Sequence, residues 1–127
     1  MRSKNGSASA FVVCLMSGLV AMVGLVNDAG AVLLRYCEVA DGAQNAARVA
    51  AQQVTGIRAG SPRIDSDRAR RAGLEQLRRE GLAGEVRVAP GIVIVTGAAR
   101  PRFVFLGMFG LDRPVVSVER SARLLEG

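Results

Sequence analysis

The chain opens on a short basic tip, MRSKNG, followed by an uncharged apolar run, SASAFVVCLMSGLVAMVGLV, that lasts until Asp28. At about 1.5 Å of rise per helical residue, Ser7 to Val26 extends roughly 30 Å, enough to cross the hydrocarbon core of a bilayer. The pattern predicts a transmembrane helix over residues 7–27, behind a basic leader at 1–6. Arg2 and Lys4 put the N-terminus on the cytoplasmic side under the positive-inside rule, and everything after Asn27 is then exported. The expected location is the cell membrane, crossed once, with the C-terminal domain extracytoplasmic.

No stop signal follows the apolar run. Between Val26 and Val54 there is no proline, the glycines are isolated, and apolar residues recur at helical spacing. Ala29, Leu33, Tyr36, Ala40, Ala43, Ala47, Ala50 and Val54 step by three or four, while Arg35, Glu38, Asp41, Asn45, Arg48 and Gln52 lie largely elsewhere. One helix is expected from about Ser9 to about Thr55, greasy all round in its first half and one-sided in its exported continuation, 28–55. TGIRAGSPR then ends it with two glycines and a proline.

Residues 56–127 read as a small α+β domain. Asp65 or Ser66 can cap a second helix from about Asp67 to Glu80, closed by Gly81, with Ala69, Gly73, Leu74 and Leu77 as a narrow apolar edge set to lie across a sheet. From Glu85 the period changes to alternation. Val86 and Val88 share a face, Ile92, Ile94 and Thr96 oppose Val93 and Val95, and Ala89-Pro90-Gly91 offers a hairpin connection. After RPRFVFLGMFG, an apolar segment broken by Gly and Pro, VVSVERSARL supplies a third antiparallel strand. The fold class is α+β: a long N-terminal helix, transmembrane then amphipathic, a short second helix and a three-stranded antiparallel sheet.

Composition narrows the chemistry. Aromatic content is 4%, with no Trp and one Tyr, too little for a stacking platform. The net charge of +6 invites a nucleic-acid reading, but an exported domain does not meet cytoplasmic nucleic acid. The densest basic cluster, Arg68, Arg70, Arg71, Arg78 and Arg79, is interleaved with Asp65, Asp67, Glu75 and Glu80, as on a solvated helix face. There is no histidine, so imidazole metal sites and Ser-His or Cys-His nucleophiles are excluded. GIRAGSPR lacks the lysine and preceding strand of a phosphate cradle, and Asp65 and Asp67 suit a helix start better than a catalytic pair. No enzyme, metal or cofactor is expected.

Cys14 and Cys37 on one helix are about 34 Å apart along its axis and cannot pair within a chain. Cys14 suits a lipid-facing or helix-facing position, with acylation or an intermolecular bond as the alternative, and Cys37 could bridge subunits. Ala10, Cys14 and Gly18, with Ser17 and Ala21 beside them, form a possible helix-packing face of small residues. Asn27 and Asp28 mark the outer membrane edge, and Asp28 is a possible intersubunit contact.

These residues resemble the TadE/TadG-like minor pilins or pseudopilins of the Flp (tight adherence) pilus assembly system, in their short actinobacterial form. GSASAFVV after the basic tip resembles that family's leader junction, and GLVNDAGAVLLRYCEVADGAQNAARVAAQ its helical stretch; GLAGEVRV, IVIVTGAA, FLGMFGLD and VVSVERSARL are similar to its sheet. The resemblance implies a pilin-like subunit, partnered by the membrane and by other pilins or assembly proteins through helix packing. It also implies a prepilin-type leader cut by a membrane prepilin peptidase at Gly6, leaving Ser7 first. Phe11 stands at the fifth position after that junction, where clearly processed members carry glutamate, so an uncut membrane-anchored assembly factor is the variant of the same reading. Two other readings stay open. One is a secreted module cut as a signal peptide at Ala29-Gly30-Ala31, leaving Val32 first; the other is an anchored module that binds anionic lipid or cell-wall polymer through Arg70 and Arg71.

Overall fold

The computed structural model describes residues 5–111 and 114–124. A single helix, α1 (Asn5–Ala51), runs 47 residues without a break. Through Val26 every described residue except Gly24 is exposed, and the helix is long and apolar enough to cross a membrane. Beyond it come a two-residue strand β1 (Val54–Thr55), a single 3-10 turn (Ile57–Ala59), β2 (Arg63–Ile64) and α2 (Ser66–Arg79). The chain then forms β3 (Ala83–Ala89), β4 (Ile92–Ala99), the short helix α3 (Phe105–Met108) and β5 (Val116–Arg123). The result is α+β, with a long N-terminal helix, a short second helix and the antiparallel sheet β3-β4-β5.

The leader's Arg2 and Lys4 lie outside the described residues. Gly6 and Ser7 lie within α1 (Asn5–Ala51) rather than ahead of it. It ends at Ala51, four residues before Thr55. Val54 and Thr55 leave the helix to pair with Ile64 and Arg63, and the N–H of Asp65 donates to the carbonyl of Gln53 at 2.8 Å. Two β-branched residues followed by Gly56, whose φ is 79°, favour that extended exit over another helical turn. The linker is thus a miniature two-stranded hairpin.

The C-terminal half of α1 packs on β4 and β5 on one side and on α2 on another. Its buried face is narrow and made of small residues: Val39, Ala40, Ala43, Ala46, Ala47 and Ala50. They meet an inward sheet face of Val86, Val93, Val95 and Val118, in which Val86 pairs with Val95 and Gly97 with Val118. A Cβ on Gly97 would stand 3.3 Å from both Ala43 Cβ and Val39 Cγ1, so helix and sheet approach to backbone distance there. Close packing of this kind replaces bulky side chains with proximity.

Two expectations need correcting. Leu33 and Tyr36, assigned to the apolar stripe, are 64% and 44% exposed. The line that turns inward instead runs through Asp28, Val32, Arg35, Val39, Ala43, Ala46 and Ala50, all buried or half-buried. Helix α2 does not lie across the sheet either; it fits between α1 and the β3 edge, with Gly73 touching both Ala50 and Val86. Its apolar edge is as expected, with Ala69, Gly73 and Leu77 buried, and Asp65 caps it by accepting the Arg68 N–H at 3.1 Å. The β3–β4 hairpin turns on Pro90 and Gly91, with Ala89 paired to Ile92 and Gly91 at a φ of 72°.

Replacing Ala43 by Leu is expected to cost about 1–3 kcal/mol through overpacking against Gly97, whereas Leu33→Ala at its exposed site stays within about 0.5 kcal/mol. Denaturant unfolding of the purified protein checks both.

Candidate functional site

The most unusual side chain lies where the apolar half of α1 meets the head. Asp28 is 1% exposed, the single fully buried charged residue among those described. Its Oδ1 accepts the backbone N–H groups of Val104 at 3.0 Å and Phe105 at 3.3 Å, and its Oδ2 accepts that of Leu106 at 2.6 Å. These are first-turn donors of α3, which have no partner inside a helix. Val104, at the N-cap position, offers no side-chain cap of its own. The cap is therefore supplied from α1, 76 residues earlier in the chain. A carboxylate also complements the positive end of the helix dipole.

Burial alone would push the Asp28 carboxyl up. The three backbone donors, with the side chain of Asn27, outweigh it and hold the group below its ordinary range. Asp28 is thus an anion with its lone pairs occupied. As a candidate contact to a neighbouring subunit, it is already engaged within its own chain.

Around this clamp the α3 loop folds down along α1. A Cβ on Gly24 would collide with the ring of Phe105, so the ring lies directly on the helix backbone. Phe105 and Phe109 then pack with centroids 5.3 Å apart and planes tilted by 60°. With Val13, Met16, Ser17, Val20 and Ala21 they line an open groove of about 510 Å³. Its one polar side chain is already satisfied, because the Ser17 hydroxyl donates to the Val13 carbonyl at 2.8 Å. On the outer side of Asp28, Arg35, Glu38, Arg100, Pro101 and Arg102 line a second cleft, in which Arg35 pairs with Glu38 while its Nε is buried without a partner.

The other residues singled out in the sequence are dispersed. Ala10, Cys14 and Gly18 are exposed along the apolar half of α1, and nothing approaches Gly18 within 4 Å; their neighbours Ser17 and Ala21 border the groove. Cys14 and Cys37 are free and exposed on the same unbroken helix, which rules out pairing within one chain. Gly6 and Ser7 are exposed at its start. Arg70 and Arg71 are exposed on α2, whose Gly73 touches Ala50, about 30 Å along α1 from Asp28. Among the described residues no group of His, Cys, Asp or Glu could hold a metal ion.

Sequence reasoning missed α3, Arg35 and the capping role of Asp28. The available signal was the density of apolar side chains in FVFLGMF, too high for an ordinary exposed loop. Compared with known proteins, the chain matches no family model, no curated protein and no solved structure.

Asp28→Ala should expose the amides of Val104, Phe105 and Leu106 to rapid hydrogen exchange, with Asp28→Asn intermediate because a carboxamide keeps one acceptor oxygen. A carboxyl lower in the folded than in the unfolded chain contributes stability that is complete above the unfolded value and lost as pH falls through the folded one. Protection of the three amides, corrected for intrinsic exchange, should therefore stay level from roughly pH 8 to pH 5 and fail only below the ordinary aspartate value of about 3.9.

Proposed function

We propose that this protein is a non-enzymatic, membrane-anchored structural or assembly component, of minor pilin or pseudopilin type, in a Flp-type pilus or related secretion apparatus. One observation carries the reading: the apolar segment and the spine of the head are the same unbroken helix, Asn5–Ala51. A subunit of this build holds its head at a fixed height and orientation above the bilayer and offers the exposed apolar half of α1 to lipid or to other helices. The resemblance of the leader junction and the helical stretch to TadE/TadG-like proteins points the same way. The basic tip supports a cytoplasmic N-terminus and an extracytoplasmic head.

The signal-peptide alternative meets a physical cost. Cleavage after Ala31 would discard Asp28 and leave the N–H groups of Val104, Phe105 and Leu106 without their acceptor. Removal of residues 1–6 would leave Asp28 and its three backbone donors in place. Both points support retention of the helix in the mature protein.

The protein should stay with the membrane pellet after alkaline carbonate extraction and enter solution only with detergent. N-terminal sequencing of the mature form should give Ser7 for prepilin processing or Met1 for an uncut anchor, and Val32 would overturn the anchored reading. Deleting the gene should abolish surface piliation or the assembly of other pilus proteins; unchanged piliation and assembly would remove the assembly role.

A further inference from the structure

We propose that the loop Val104–Leu111 is a second membrane element, seated in the outer leaflet beside α1, with lipid acyl chains filling the groove between them. The inference rests on the reading of α1 as a membrane span and adds to it a region that the span alone does not predict.

Depth is the first argument. Gly24, on which Phe105 rests, is about 6 Å below Asp28 along the helix, and Val12 at the far end of the groove is about 24 Å below it. A bilayer that holds residues 7–27 within its roughly 30 Å core must surround the groove too. The surface of the loop is the second argument. Val104, Met108, Phe109 and Leu111 are 68%, 80%, 68% and 55% exposed, a cluster that water would disfavour and acyl chains would accept.

The third argument concerns the backbone. Irregular chain at membrane depth is tolerated only where its polar groups are satisfied by protein. Here the N–H groups of Val104, Phe105 and Leu106 are bound to Asp28, that of Phe109 donates to Leu106 at 3.2 Å, and that of Gly110 to Gly107 at 3.3 Å. A buried anion at the base of an apolar loop is costly anywhere, and three donors at one carboxylate make it bearable in this place. Charge is the fourth. Arg35, Arg100 and Arg102 gather on the outward side of Asp28, at the level where the phosphates of lipid headgroups lie. The residues thus sort by height as a bilayer does, apolar below the clamp and cationic above it.

The test uses the full-length protein in vesicles of phosphatidylcholine and phosphatidylglycerol. On a Cys14→Ser, Cys37→Ser background, nitroxide labels are placed singly at Met108→Cys, at Met22→Cys as a reporter of the span, and at Ser121→Cys as a reporter of the head. Electron paramagnetic resonance power saturation then compares collision with oxygen, concentrated in lipid, and with a nickel chelate confined to water. The label at 108 is expected to match that at 22, several-fold more accessible to oxygen than to nickel, with the reverse ratio at 121. Adding Asp28→Ala should shift the 108 label towards the ratio seen at 121. If 108 follows 121 while 22 stays lipid-like, the loop proposal fails and the span stands. If 22 is open to nickel as well, both fail. If 108 is shielded from both reagents, a protein surface such as a second copy covers the groove, and the lipid proposal is overturned.

Discussion

A single carboxylate joins the two halves of this molecule. Asp28 stands where the apolar half of α1 ends, and it holds by their backbone the residues that return from the sheet to that level. Remove the carboxylate and three backbone donors lose their acceptor together, since Val104 at the N-cap of α3 offers no side-chain cap. The position of Phe105 on Gly24 follows from the clamp, and the groove follows from Phe105. What the helix, the loop and the sheet share is therefore electrostatic at one point and steric everywhere else.

The steric part relies on smallness. A head of this size has few large apolar side chains available, and the C-terminal half of α1 meets its strands with alanines, closest at Gly97 of β4. Close approach restores the dispersion contacts that bulk would otherwise supply. Polar pairs confine themselves to the periphery: Arg87 reaches Glu119 across β4 at 2.8 Å, and Glu80 accepts from Gln76 at 2.7 Å. Exposed pairs of this sort do more for register than for stability.

Much of the architecture was legible in the residues. The uncharged run to Val26 announced a helix able to cross a membrane, the change of period at Glu85 announced strands, and Asp65 and Pro90-Gly91 announced a cap and a turn. What escaped was whatever depended on a distant partner. The inward face of α1 passes through Asp28 and Arg35, and polarity alone steers a reader away from such positions towards Leu33 and Tyr36. Val54 continued a helical spacing, and only pairing with Ile64 pulled it into a strand. The short helix Phe105–Met108 has no cap within its own segment, because its cap comes from α1.

The unbroken course of α1 has a mechanical consequence. From Asp28 to Ala51 the helix forms an arm of about 34 Å with no proline to act as a hinge. Helices adjust to bilayer thickness by tilting, and a change of about 10° at the pivot would swing the far end sideways by about 6 Å. In a bilayer, the bearing of the head would follow the tilt of α1 directly, with no joint in the helix to absorb it.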